Sequence, residues 1–193
     1  MVSHFDILAP VYDRIAGFFL GPPDCEMWRK LLELPVNGRL LDAGGGTGRV
    51  SAPLRPVVGQ LVVADISLGM LRQAHKKGYL HPVQTDAALL PFPDDIFERI
   101  MVVDSLHHFP RQRQVIRELT RVLAPGGLLV IEEFDIRRLP VKGLALLEKL
   151  VLMGSRFIRA EEIRNLILEG GLTAEIREGE RFSIRIVAKK QIL

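Results

Sequence analysis

Cysteine is nearly absent. One residue, Cys25, in a chain of 193 excludes an internal disulfide and any cysteine cluster for zinc. Long apolar runs are missing as well: none reaches the roughly 18 residues that a membrane-spanning helix needs, so no stable membrane insertion is expected. The opening "MVSHFDILAPVYDR" carries His4, Asp6 and Asp13. It lacks the basic start, apolar block and small-residue cleavage site of a secretion signal, and a cytoplasmic location is the expectation. Charge of one sign is also wanting. The 26 Lys and Arg against 23 Asp and Glu leave a net charge of only +3, too even for a nucleic-acid partner to be expected. The densest basic run, "RQRQVIRELTR", sets Arg113, Arg117 and Arg121 at every fourth position, opposite Val115, Ile116, Leu119, Val122 and Leu123. That is an amphipathic helix with a solvated arginine stripe. Repeats, low-complexity tracts and linkers are lacking, and 193 residues suffice to bury one continuous core. A single domain is expected over residues 1–193.

What is present is an alternation. Short β-rich runs, "RLLDA", "QLVVAD", "HPVQTD", "FERIMVVD" and "GLLVIEE", alternate with helical stretches such as "SLGMLRQAHKKG" and "RQVIRELTRVL". Strand and helix in turn predict an α/β fold, a Rossmann-like doubly wound sheet that is mostly parallel. Continuous apolar stretches within the runs fit strands buried on both faces. Residues 1–35 read as a helical preface, 36–134 as the cofactor-binding core and 135–160 as a short substrate-side segment that includes the apolar "VKGLALLEKLVLMG". Residues 161–193 read as a helix, "RAEEIRNLILEGG", and an antiparallel hairpin at one sheet edge, for about seven strands in all. Ligands of open parallel sheets bind beyond the strands' carboxyl ends, where Asp42, Asp65, Asp86, Asp104 and Glu132 would gather.

The stretch "LLDAGGGTGRV" lies at one of those ends. A dinucleotide turn reads G-x-G-x-x-G, but Arg49 stands where its third glycine belongs. A triphosphate loop requires a lysine that is missing here. An acid, Asp42, precedes the glycines and would repel phosphate while attracting a cation. S-adenosylmethionine has the matching charges: a sulfonium, an ammonium, one carboxylate and no phosphate. Gly44 and Gly46 let its amino-acid tail approach the backbone, and free N–H groups at the next helix start can take its carboxylate. Asp65 can accept from a ribose diol. Ile66 and Met70, one helical turn apart, can sandwich adenine, with Asp86 accepting from its exocyclic amine beside Ala87.

Four stretches in order, "LLDAGGGTGR", "VVADIS", "TDAALLPFPDDIFERIMVVDSLHHF" and "RELTRVLAPGGLLVIEE", resemble the motifs of class I S-adenosylmethionine-dependent methyltransferases. They span about half the chain, and "FDILAPVYDRI" is similar to the opening of the group that includes the ubiquinone and menaquinone C-methyltransferases. The resemblance implies methyl transfer from S-adenosylmethionine to a small-molecule acceptor. It implies an N-terminal helical lid in which Tyr12 caps the methionyl end, and a cleft lined by Asp104 with Ser105 through backbone contacts.

Two departures qualify that match. Pro53 and Pro56 predict a short or kinked helix after the glycine turn, and the brief segment before Ala160 leaves little cover for a large substrate. In-line displacement from a sulfonium needs positioning more than a dedicated base. Where the acceptor must lose a proton, His108 and, close behind it, His107 are the candidate bases; the plainer alternative is that they hold the loop. Glu132 and Glu133 can reach the cleft or serve as caps. No metal is expected, since neighbours at a strand end point apart. The apolar "IAGFFLGPP" and "LALLEKLVLM" point to an apolar or aromatic acceptor, or equally to core packing or a homodimer seam. A protein that binds S-adenosylmethionine without transferring its methyl group, and a nicotinamide oxidoreductase disfavoured by Arg49, are the alternatives.

Overall fold

The computed structural model describes residues 4–138, 155–180 and 182–192. The apolar run at residues 141–154, and with it one of the two stretches read as acceptor-side cover or dimer seam, lies outside the described residues. Seven strands follow in the chain: β1 (Val36–Ala43), β2 (Val58–Asp65), β3 (His81–Gln84), β4 (Phe97–Val103), β5 (Leu123–Phe134), β6 (Leu172–Glu178) and β7 (Ser183–Lys190). Among the described residues six α-helices accompany them: α1 (His4–Leu8), α2 (Tyr12–Leu20), α3 (Cys25–Leu31), α4 (Leu68–Lys76), α5 (Gln112–Val122) and α6 (Ala160–Glu169). They form one sheet in the order β3-β2-β1-β4-β5-β7-β6.

Pairing of β1 with β2 and β4, β2 with β3, and β4 with β5 is parallel. β7 pairs antiparallel with both β5 and β6. The expected hairpin is therefore present, with its second strand inserted next to β5 and its first at the sheet edge. Chain order reverses direction across the sheet between β1 and β4, which is where an open sheet parts its loops and leaves a crevice.

Strand residues alternate between two cores because successive side chains point to opposite faces. On one face Leu41, Val62, Ile100 and Leu129 pack under Val115, Ile116 and Leu119 of α5 and Ile163 and Ile167 of α6. On the other Leu40, Leu61, Met101 and Val130 pack under Trp28 of α3, Leu54, and Leu71 and Ala74 of α4. Helix starts are fixed locally: Asp24 caps α3 by accepting from the Met27 N–H at 2.9 Å, and Ser67 caps α4 by accepting from the Met70 N–H at 3.1 Å. The two prolines have the expected effect. The helix after the glycine turn is a six-residue 3-10 helix, Ala52–Val57, with Pro56 inside it. Among the described residues no helix is long and apolar enough to cross a membrane.

Candidate functional site

A cavity of ≈ 440 Å³ opens at the carboxyl ends of β1, β2 and β4, with α1 and α2 contributing Phe5 and Tyr12 to its lining. A larger groove of ≈ 650 Å³ runs along α4 beside Asp6 and Pro10, but none of the buried carboxylates or turn glycines lines it.

The glycine turn forms the floor. Gly44, Gly46 and Gly48 have φ of +71°, +55° and +68°, a backbone region that side chains disfavour, so the turn depends on glycine there. Gly44 N–H donates to the Ala64 carbonyl at 2.7 Å, tying the turn to β2. A Cβ on Gly46 would find nothing closer than 3.9 Å, at Asp65 Oδ2 and Met70 Sδ, which is room for a ligand to lie against the backbone. Asp42 is only 2% exposed, and burial pushes its carboxyl up to about 7.

Asp65 ends β2 beside that floor. Its Oδ2 accepts from Gly46 N–H at 2.9 Å and its Oδ1 from Ser67 N–H at 2.8 Å. A carboxylate offers about four acceptor sites, so capacity for a hydroxyl donor remains beside these amide bonds. Burial raises its pKa while those amide bonds oppose the rise. Ile66 and Met70 line the same side, Met70 buried and Ile66 exposed at 64%.

Asp104 ends the next wall. It sits at φ +46°, and its buried Oδ1 has no hydrogen-bond partner among the described residues. Burial, reinforced by the nearby Glu133 and Glu132, pushes its carboxyl up to about 8. Ser105 donates to the Ala43 carbonyl at 3.3 Å, holding the β4 loop against the start of the glycine turn. Asp42, Asp65 and Asp104 are the acids of the lining, against Arg49 alone of the lysines and arginines. An orphaned buried oxygen in an acid-rich cavity suits a cationic ligand, and Arg49 suits a single carboxylate on it.

Helices α1 and α2 are fastened to the floor by two carboxylates. Asp6 Oδ1 in α1 accepts from Ser67 Oγ at 2.6 Å and from Gly69 N–H at 2.8 Å. Asp13 in α2 accepts from Thr47 Oγ1 and pairs with Lys77 Nζ at 2.6 Å, while Lys77 also donates to the Thr47 carbonyl at 2.8 Å. Arg49 Nη1 donates to the Gly21 carbonyl at 3.2 Å, closing the end of α2. Tyr12 is thereby held in the lining, and burial raises its phenol pKa.

His107 and His108 both line the cavity. His107 Nδ1 lies 2.6 Å from Glu133 Oε2, whereas His108 Nδ1 lies 3.1 Å from Ser155 Oγ. Glu132 is bound instead by Arg185 of the adjoining β7.

Of the residues expected at the cofactor, Tyr12, Asp42, Gly44, Gly46, Asp65, Ile66, Met70, Asp104 and Ser105 line this one cavity. Asp86 and Ala87 lie outside its lining. Asp86 Oδ2 accepts from Arg111 at 2.6 Å and its Oδ1 from Ala88 N–H at 2.8 Å, and Ala87 is buried in the core. Sequence reasoning passed over Phe5, Thr47, Val50, Val103, Phe109 and Phe134, and used Arg49 only as an argument against a dinucleotide. Phe134 ends β5, so the strand-end rule could have found it; Phe109 follows the 3-10 helix Leu106–His108, and nothing local marks it or Phe5. Among the described residues no group of three His, Cys, Asp or Glu side chains could hold a metal ion.

Residues 41–131 match the family model described as a methyltransferase domain. The chain is 35% identical over 145 residues to a demethylmenaquinone methyltransferase of Clavibacter sepedonicus, covering 71% of this chain and 59% of that protein. It is 40% identical over 107 residues to the ubiquinone/menaquinone biosynthesis C-methyltransferase UbiE of Vibrio parahaemolyticus, covering 50% of this chain and 41% of that protein. The chain thus spans only about half the length of these relatives. In fold it superposes with a TM-score of 0.82, at 17% identity and full coverage of both chains, on a chain from the complex that contains the Haloferax volcanii Trm112 methyltransferase activator.

Proposed function

We propose that the chain, whose residues 41–131 match the methyltransferase-domain family model, is a class I S-adenosylmethionine-dependent enzyme that transfers a methyl group from S-adenosylmethionine to a small, aromatic or apolar acceptor. The observation that carries this reading is the buried Asp104 Oδ1, without a partner among the described residues, in the lining of a cavity floored by a glycine turn that the buried Asp42 precedes. When bound, S-adenosylmethionine supplies an electrophilic methyl carbon and a thioether leaving group.

The chain's residues divide the work of holding it. Gly44 and Gly46 leave backbone room for the amino-acid tail, Arg49 offers a partner for its carboxylate, and Asp104 offers one for its ammonium. Asp65 receives the ribose, while Ile66 and Met70 flank the base. Tyr12, with the lid latched through Asp6 and Asp13, keeps water from the methionyl end. Holding nucleophile and methyl carbon in line is the largest contribution such a site can make. Phe5, Phe109 and Phe134 give the remaining wall an aromatic lining, which favours a flat apolar acceptor. A nearly balanced charge favours a small molecule over a nucleic acid as that acceptor, and we place the reaction in the cytoplasm.

Calorimetry with S-adenosylmethionine, S-adenosylhomocysteine and NAD tests the donor, and S-adenosylhomocysteine release with phenols, quinols and amines tests the transfer. Micromolar binding of both sulfur compounds and turnover with one acceptor class are expected. Binding of NAD without S-adenosylmethionine would overturn the proposal. Tight binding with no turnover on any acceptor would instead identify a binder that does not transfer.

A further inference from the structure

The two edges of the sheet are built differently. β3 has four residues with Pro82 among them, and a short strand carrying proline is a poor template for another chain. β6 has seven residues without proline, and it pairs with β7 along its whole length with no shift of register. Among the described residues no strand pairs with its outer side, which leaves a row of backbone N–H and C=O groups to solvent or to another strand.

The side chains of this edge carry charge in a particular order. Successive residues point to opposite faces, so Glu175 and Arg177 share a face, where they form an ion pair and are both about half exposed. Ile176 turns to the other face and packs, partly buried, against the core under α5 and α6. Glu132 on β5 lies opposite Arg185 on β7, and Arg185 lies opposite Arg177 on β6. Glu132 and Arg185 are ion-paired. From β5 outward the row therefore runs acid, base, base, with like charges directly across from each other, an arrangement that costs stability. An acid beyond Arg177 would complete it.

A second copy of the chain can supply that acid. A two-fold axis perpendicular to a sheet keeps every side chain on its own face, so the residues it sets opposite one another are an even number of positions apart. Centring the axis on Glu175, Arg177 or Glu178 sets that charged residue against its own copy. Centring it on Ala174 puts Arg177 across from Gly171 rather than an acid. Centring it on Ile176 sets Glu175 of each copy against Arg177 of the other, and Ile176 against Ile176 on the opposite face.

We infer that β6 pairs antiparallel with β6 of a second copy about a two-fold axis at Ile176, joining two chains in one continuous sheet. The row of charges then runs Glu132, Arg185, Arg177 and Glu175 of the second copy, acid at both ends. The inference stands apart from the methyl-transfer reading, because β7 lies between β6 and every strand that lines the cavity.

Sedimentation velocity on the full chain over a series of concentrations tests it. One strand from each copy is a small interface, below roughly 1,200 Å² in total and at the weak end for specific association, so a reversible dimer with a micromolar dissociation constant is expected. Glu175→Arg and Arg177→Glu each set like charges opposite one another at both contacts, and each should raise the dissociation constant at least about tenfold. Mixed in equal amounts, the two variants should form a heterodimer about as tight as the wild-type dimer, because every arginine of one copy then faces a glutamate of the other. A chain carrying both substitutions exchanges the charges, should self-associate like wild type, and supplies the answer if a single variant does not fold. A wild-type protein that stays monomeric up to about 1 mM, a dimer that either single substitution leaves unweakened, or a doubly substituted chain and a mixture that associate no better than the single variants would overturn the inference.

Discussion

Gly45 and Asp42 fill one another's space: a Cβ on Gly45 would lie 2.4 Å from the Asp42 Cγ. Gly45 has no positive φ, so the demand for glycine there is purely steric, unlike that at its two neighbours. Gly45→Ala should therefore force the buried Asp42 to shift and cost about 1–3 kcal/mol of stability, the usual range for overpacking. Gly46→Ala has room, and only its left-handed backbone costs about 1–2 kcal/mol. Its added methyl, however, occupies ligand space. Thermal melts and calorimetry together should show Gly45→Ala as the greater loss of stability and Gly46→Ala as the purer loss of S-adenosylmethionine affinity.

Asp65 accepts from two amides of the floor and, on the proposed reading, from the ribose as well. Asp65→Asn keeps one acceptor oxygen and replaces the other by a donor facing an N–H group. A hydrogen bond to a charged group is worth about 1.5–3 kcal/mol, so S-adenosylmethionine affinity should fall about 10- to 100-fold. Calorimetry reads this directly, and an unchanged dissociation constant would remove Asp65 from the site.

Asp104 and Asp42 give the protein an unusual pH response. Their folded pKa values, about 8 and about 7, exceed the unfolded value of 3.8. Between those limits the folded state holds protons that the unfolded state has released, so stability falls as pH rises from about 4 to about 8. The melting temperature of the ligand-free protein should decline across that window, and Asp104→Asn should gain on wild type as pH rises. A bound cation favours the ionised form, so S-adenosylmethionine should expel a proton near neutral pH. Its binding enthalpy should then vary with the ionisation enthalpy of the buffer, and Asp104→Asn should abolish most of that variation.

Asp13 holds α2 to Thr47 and Lys77 through side chains that are partly exposed. Such pairs contribute about 0–1 kcal/mol, so Asp13→Ala should barely change the melting temperature. The lid should nonetheless open more often, seen as faster amide exchange over residues 12–20 with no change in β4 or β5. Slowed or unchanged exchange in α2 would show that the lid is held by its packing alone.

Legibility from sequence divided along physical lines. Asp42, Asp65 and the glycines could be read because one strand, one turn and one helix start place them, all within local reach. The same was true of the 3-10 helix at Pro53 and Pro56. Asp86 occupies the expected strand end, yet Arg111, 25 positions away, takes its carboxylate, and no local rule foresees a partner at that distance. Glu132 and Glu133 are adjacent and alternate across the sheet, so one meets Arg185 on β7 and the other His107. Which way each points depends on strand register, and β7's insertion beside β5 set that register only in three dimensions. Phe5 and the Asp13 to Thr47 bond join segments more than 30 residues apart, beyond any pattern of spacing.

The Asp13 latch has a keeper that is also part of the floor. Thr47 lies in the glycine turn, and Ser67 and Gly69, which receive Asp6, start the helix that follows Asp65. Lid and cofactor therefore act on the same short stretches of backbone. By linkage, whatever free energy a closed lid adds to occupancy of the turn, occupancy must return to closure in equal measure. On the proposed reading, release of the spent donor is therefore coupled to unfastening of residues 4–21, and a lid that opens more readily should speed that release.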